Sequence, residues 1–303
     1  MKKKLIISII CLLFVGLWAD TSGEYGLQIF KISSDADQAA MGGTGAFYAN
    51  NSFRFMANPA AGNINNYKGL NFNQNYWIFD TNLNSLGYLN SKGKYSFGIG
   101  YRYLDYGALD GATDDGQQTG KFYPMDLIVT TGISYRFNPS HYFGINLNGI
   151  YEKIDIESAL GGSVDLGYRY VTMLNGVELA AAMKNIGKTN KLYEEDIDLP
   201  LSAEVSFIGK ELENYLPVKN AHISSEIKVI KHIDDDRIMV NMGMKTVLHN
   251  KFSLKMGYKF NHDTESYSAG FGVKLHRLNV DYAFVPMADE IDDVHMIQIG
   301  LRF

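Results

Sequence analysis

The stretch HMIQIGLRF, residues 295–303, decides the fold class. Ile297, Ile299, Leu301 and Phe303 share one side; Met296, Gln298, Gly300 and Arg302 share the other. A period of two is the signature of a β-strand with two unlike faces. The same rhythm runs through Phe252–Phe260, Tyr267–Leu275 and Tyr95–Tyr103. One face carries large apolar and aromatic groups, and the other carries Gly, Ser, Asn, Lys and Arg. In a soluble sandwich the large groups would face a core. In a membrane barrel they face lipid, and the small polar groups line a wet lumen. Alternation alone is compatible with both.

Counting separates them. The pattern predicts strands at 69–77, 83–90, 95–103, 126–136, 142–153, 161–172, 175–184, 201–208, 221–230, 237–248, 252–260, 267–275, 278–285 and 295–303. That is fourteen, an even number, as single-chain bacterial barrels require. With Phe303 placed at the periplasmic edge, the connections sort by parity. Those at 276–277, 249–250, 173–174, 137–141 and 91–94 are short and fall on one side. Those at 286–294, 231–236, 185–200 and 104–125 are longer, acidic, and fall on the other. The exceptions are 209–220, long on the short side, and 78–82, short on the long side. The expected architecture is an all-β outer-membrane barrel of about fourteen antiparallel strands.

Working back towards the N-terminus, residues 24–68 break the rhythm. Ala39-Ala40-Met41 suggests a short helical turn before Gly42, Gly43 and Gly45, and Asn58-Pro59-Ala60 follows. Glycines and Asn-Pro mark tight, irregular backbone. A barrel of this size encloses more space than wall side chains fill, so it is a channel or it is plugged. Residues 20–68 have the size of a hatch or plug, and 69–303 would form the wall.

Residues 1–19, MKKKLIISIICLLFVGLWA, read as a secretory signal peptide: three lysines, an apolar run from Leu5 to Val15, and Ala19 as a small residue for cleavage. The run is short for a spanning helix. Its removal takes three lysines and no acid, and moves the net charge from −5 to −8. The expected location is the outer membrane of a Gram-negative-type bacterium. The acidic balance argues against a nucleic-acid binder. The one cysteine, Cys11, lies in the signal, so no disulfide framework is expected.

The segment from Gly26 to Ile32, then Asp35–Ala46 with its three glycines, then Ala57-Asn58-Pro59-Ala60, resembles the start of the PorV/PorQ family, which sits among the wider FadL-like barrels. Val280–Phe284 followed by Ile299–Phe303 resembles that family's last hairpin. Family members often carry an acidic pair where this chain has Asn50-Asn51. The resemblance implies a fourteen-stranded barrel with an N-terminal hatch. It implies either a role in type IX secretion, receiving protein cargo at the cell surface, or passage of small hydrophobic molecules. Partners would be outer-membrane lipid, such a cargo or small molecule, and the barrel-assembly machinery through the C-terminal strand ending in Phe303.

No chemistry of catalysis or metal binding is expected, and no cofactor. HExxH and CxxC are absent, and so is the G-x-S-x-G elbow of hydrolases. His222 and Ser224 share a strand face with Glu226 and Lys228 and read as polar lumen lining, not as a lipase pair. His232 beside Asp234, Asp235 and Asp236 reads as a solvated loop. The candidate site residues are therefore devices of binding and closure. Gly42, Gly43, Gly45, Asn58, Pro59 and Ala60 would shape the hatch. Arg102, Arg169, Lys255, Lys259, Lys274 and Arg302 form a basic set on the lumen face, with Asp165, Glu204, Glu226 and Asp281 among them. They would attract an anionic ligand, such as a carboxylate on a fatty chain, or pair with those acids and with the hatch. Mixed pairing is the favoured reading.

Overall fold

The computed structural model describes residues 27–113, 115–192, 197–210, 221–233, 237–288 and 291–303. The signal segment and Asp234, Asp235 and Asp236 lie outside the described residues. Fourteen antiparallel strands form one closed sheet. They are β1 (Tyr67–Tyr76), β2 (Asn82–Lys92), β3 (Tyr95–Asp105), β6 (Met125–Arg136), β7 (His141–Ile154), β8 (Glu157–Val171) and β9 (Val177–Thr189), then β10 (Ser202–Gly209), β11 (Ala221–His232), β12 (Ile238–Leu248), β13 (Phe252–Phe260), β14 (Tyr267–Leu275), β15 (Leu278–Val285) and β16 (Val294–Arg302). Closure is the pairing of β1 with β16, from Gly69 opposite Arg302 to Tyr76 opposite His295. It removes both sheet edges, so every strand has two neighbours.

Every predicted strand is present, with edges moved by a few residues. The wall begins at Tyr67, two residues ahead of the predicted 69. The strand predicted at 161–172 starts at Glu157, which shrinks the preceding loop to Asp155 and Ile156. The loop at 104–125 is not plain loop: β4 (Leu109–Ala112) and β5 (Gln118–Phe122) pair there as a separate hairpin. Apart from residues 155–156 and 77–81, the connections at one end, the loop end, are longer than most at the turn end.

The two faces are inverted relative to a soluble domain. On β1 the buried residues are Tyr67, Gly69, Asn71, Asn73 and Asn75, while Leu70, Phe72 and Tyr76 are exposed. On β16 Gln298 is buried and Ile297, Ile299 and Leu301 are exposed. Amides and charges point mostly inward, with a few aliphatic groups such as Leu83 and Ile128, and the outward face is aliphatic and aromatic. In water such a surface would be unfavourable by about 25 cal/mol for each Å² of apolar area left wet. No helix among the described residues is long and apolar enough to cross a membrane.

Residues 27–66 run inside the wall. They form only short helical turns, at Gln28–Phe30, Ala36–Ala39, Arg54–Ala57 and Pro59–Asn63. Ile29, Met41, Phe47, Phe53, Phe55 and Arg54 are among the most deeply buried side chains of the molecule. This segment packs against inward-facing Leu83, Leu89, Leu104, Ile128 and Met296 of the wall to form the apolar core.

Candidate functional site: the N-terminal segment and the inner wall

Directly opposed glycines on the inner wall receive the segment. Gly98 and Gly132 face each other across β3 and β6, and a Cβ on either would strike the ring of Phe55. Gly144 and Gly167 face each other across β7 and β8, where a Cβ would land on the backbone of Pro59 and Ala60 or on Asn58. Gly243 and Gly257, across β12 and β13, leave room for Met41 and Gly42. These glycines are concavities into which the segment fits.

The Asn58-Pro59-Ala60 motif is seated in this way. Asn58 Oδ1 accepts from the amide of Ala60 at 2.9 Å, capping the Pro59–Asn63 turn. Its Nδ2 donates to the carbonyl of Ala181 on β9 at 3.2 Å. Ser134 Oγ on β6 donates to the Pro59 carbonyl at 2.6 Å. Gly42, Gly43 and Gly45 have φ of 63°, 78° and 98°, the left-handed region that favours glycine. That backbone turns its polar groups to the wall. Gly42 N donates to Ser268 Oγ at 3.0 Å, Gly45 N donates to Glu226 Oε2 at 2.8 Å, and the Gly43 carbonyl accepts from Lys228 Nζ at 2.6 Å.

The charged anchor is Asp37. Its carboxylate meets Lys245 Nζ at 2.9 Å and Lys255 Nζ at 2.6 Å, and Lys255 reaches Asp281 at 2.5 Å. Two lysines and two acids balance. Burial by itself would raise the Asp37 carboxyl, but the two ammonium groups hold it well below the usual carboxylate range. Asp35, two residues earlier, accepts from Gln38 N at 2.9 Å, from the Gln38 side chain, and from Asn51 Nδ2 at 3.1 Å. Burial, with the like charge of Asp37, pushes its carboxyl up to about 7 against those hydrogen bonds. Asn51, at the position where the PorV/PorQ resemblance expects an acid, is therefore a donor to an acid.

Sequence reasoning missed Arg54, which is 0% exposed. It donates to the carbonyl of Gly62 at 3.2 Å and to Asn65 Oδ1 at 3.1 Å, and stacks over the ring of Tyr67 at 4.9 Å. Burial draws its guanidinium down to about 10, so it stays charged at neutral pH. Asp37 was missed too. The signal for all three was present: Asp35 and Asp37 are the acids, and Arg54 a base, in an otherwise nearly neutral stretch.

Two cavities flank the segment. One, of about 820 Å³, lies towards the loop end against Phe30, Trp77, Met239 and Met287, with Arg102 and Lys228 also lining it. The other, of about 250 Å³, lies at the turn end beneath Asp37.

TodX, the toluene transporter of Pseudomonas putida, matches with a TM-score of 0.63 over 88% of this chain and 96% of that one, at 13% identity. The fold is that of the FadL-like outer-membrane barrels. A FadL homologue from Pseudomonas aeruginosa matches with a TM-score of 0.53 over 89% of this chain and 98% of that one, at 8% identity. At these identities the likeness is one of fold. No protein-family model and no curated protein matches the sequence.

The basic set of the barrel is not one cluster. Arg102 donates to the carbonyl of Ile29 at 3.2 Å and lies 5.3 Å over the ring of Phe30. Arg169 makes a two-pronged pair with Glu178, both contacts 2.7 Å. Lys259 pairs with Glu265, and Lys255 with Asp37 and Asp281. Arg302 donates to the Asn66 carbonyl at 3.0 Å. Lys274 stands apart, exposed at the turn-end rim. Phe303 sits at the closing seam, its amide donating to the Lys68 carbonyl at 2.8 Å. His222 and Ser224 lie on β11, on the face that carries Glu226 and Lys228. Among the described residues no group of three or more His, Cys, Asp or Glu is arranged to hold a metal ion.

Proposed function

We propose that the chain is an outer-membrane transport barrel for small hydrophobic or amphipathic molecules, closed at rest by residues 27–66 acting as a hatch. The observation that carries this reading is the cavity of about 820 Å³ on the loop side of a segment that fills the lumen. Its size is that of pockets that bury a small organic molecule. Its lining joins apolar Phe30, Trp77, Met239 and Met287 to cationic Arg102 and Lys228, which suits a greasy body with a polar or anionic end.

The outer-membrane location is supported by the exterior. Exposed Leu70, Phe72, Ile99, Ile297 and Ile299 form an apolar belt. Aromatic clusters flank it: Tyr95 with Tyr135 and Phe143 with Tyr168 at the turn end, Tyr258 with Phe260 and Phe284 with His295 at the loop end. Such girdles mark the two interfaces of a bilayer. Export would use residues 1–19, and insertion would use β16 and Phe303. The fold shared with a toluene transporter and a FadL homologue agrees with transport as the role.

Reception of a secreted protein, the PorV/PorQ reading, is favoured by one feature. The β4–β5 hairpin pairs with no strand of the wall, and Leu109 and Tyr123 are exposed there.

Native mass spectrometry of protein extracted in mild detergent tests these readings. A retained mass of a few hundred daltons supports transport, and uptake of that molecule into proteoliposomes then checks it. A retained protein with no small ligand supports cargo reception. A species that stays monodisperse without detergent overturns the barrel as a membrane protein.

A further inference from the structure

The cavity of about 250 Å³ at the turn end differs in kind from the loop-side one. Its roof is the segment, through Asp37, Asn50 and Asn51. Its rim is built from the two neighbouring turns: Asn250 and Lys251 between β12 and β13, and Lys274 and Asn279 beside the β14–β15 turn. Four asparagine side chains thus converge on one small space.

The charges in this cavity do not cancel. The acids that line it are Asp37 and Asp281, and both are committed to the lysine pair Lys245 and Lys255. The side chains of Lys251 and Lys274 make no hydrogen bond or ion pair with the described residues, and both are exposed at the mouth. Two cations therefore stand at the entrance of a pocket whose wall joins asparagines to Tyr48, Val247, Phe252 and Val273. Asn51 and Asn279 already donate to Asp35 and Asp281, so the amide groups open to a guest are those of Asn50 and Asn250 and the Asn279 carbonyl, which an apolar guest would cut off from water. A guest with an anionic group and several hydroxyls satisfies both features. Lysine meets a phosphate or carboxylate as a point charge, and asparagine offers donor and acceptor to a hydroxyl. The volume equals that of about eight waters at roughly 30 Å³ apiece, the scale of one sugar ring.

We infer that the turn-end cavity is a binding site for a small hydroxylated anion, of sugar-phosphate or sugar-acid size, held by Lys251 and Lys274 at its charge and by Asn50, Asn250 and Asn279 at its hydroxyls. This site is separate from the loop-side cavity and draws its ligand from the turn side.

The test uses the full protein in detergent, titrated by calorimetry with glucose 6-phosphate, gluconate, glucose and inorganic phosphate. Both hydroxylated anions bind saturably, and glucose binds at least about tenfold more weakly, the loss expected for one or two charge-assisted hydrogen bonds. Lys251→Gln with Lys274→Gln weakens the anions by about tenfold or more, and added salt does the same to the parent. Both lysines lie at the exposed rim, so the double variant keeps the heat-dependent gel mobility of a folded barrel. Asn279→Leu weakens glucose 6-phosphate more than inorganic phosphate. Glucose 6-phosphate without gluconate assigns a phosphate ester as the ligand, and the reverse assigns a sugar acid. Absence of saturable binding overturns the site. So does binding that is unchanged in the lysine double variant, or inorganic phosphate binding as tightly as the hydroxylated anions. Uptake of a hydrophobic probe from the loop side is measured alongside, and its outcome bears on transport alone.

Discussion

The N-terminal segment meets two unlike arcs of the same wall. On β3, β6, β7 and β8 the inner face carries Gly98, Gly132, Gly144 and Gly167, each filled by Phe55 or by Asn58-Pro59-Ala60, with Ser134 and Ala181 hydrogen-bonded to the motif. On β16 and β1 the inner face carries Asn73, Asn75 and Gln298, all fully buried. Their amide groups have no hydrogen-bond partner in the protein. The first arc grips by shape and direct bonds. The second holds the segment near the turn end, where Ser52 N donates to Asn71 Oδ1 at 2.9 Å and Ser52 Oγ to the Gly69 carbonyl at 2.8 Å, but adds no direct bond through Asn73, Asn75 and Gln298. The grip on the segment is therefore uneven along the wall. Small residues make the concavities, and polar residues elsewhere keep the lumen wettable.

Breaking the tight arc has the largest expected effect. Gly144→Val places a branched side chain on the Pro59 backbone, where neither backbone can yield. Residues 27–66 then become open to protease, and single-barrel conductance in planar bilayers rises from near zero to steps of constant size. A parent-like protease pattern would show that the glycine fit is not what holds the segment. Gly43→Val, where φ is 78°, acts in the same direction.

The ion-pair anchor comes next. Lys255→Met leaves Asp37 with Lys245 alone and Asp281 without an ammonium partner, a loss of about 3–5 kcal/mol for a broken buried pair. The barrel melts earlier in detergent, and adding Asp281→Asn recovers part of the loss. An unchanged melting temperature would remove the anchor from the account.

The pH response is smaller and has a definite sign. Asp35 titrates near 7 in the folded chain and near 3.8 unfolded, so the folded state holds the extra proton in between. Its contribution to stability is full below about pH 4, declines as the pH rises to 7, and is flat above. Melting temperatures across that range check the slope, which Asp35→Asn abolishes.

The loose arc should tolerate change best. Asn73→Leu removes an amide with no protein partner, so its effect is expected within about 1 kcal/mol, in either direction. A large destabilisation would mean that these unpaired amides hold the segment too, and the contrast would fail.

Much of this was legible in the chain and some of it was not. Strands such as Phe252–Phe260 and His295–Phe303 were plain, because lipid on one side and a polar lumen on the other demand opposite residues at each step. The β4–β5 hairpin was not, because Leu109–Ala112 is short and nearly all exposed, so nothing enforces a pattern. The basic set was readable as inward-facing, yet its partners were not. Asp37 is far from Lys245 and Lys255 along the chain, and Glu178 on β9 lies opposite Val171 and reaches Arg169 diagonally, two residues back on β8. Lys274 shared the alternation of the set but reaches the rim, where the strand leaves the enclosed lumen.

The sequence by itself determined the sheet: its fourteen strands, which side faces out, and which end carries the long loops. Alternation is a local property, repeated at every strand, so it survives without knowledge of any neighbour. Only the tertiary structure decided what the inward glycines are for. Gly98 with Gly132 and Gly144 with Gly167 are concavities only in pairs across two strands, and only when Phe55 and Pro59 arrive from a segment tens of residues away. Shape complementarity of that kind belongs to the assembled wall, because no single strand contains both halves of the contact.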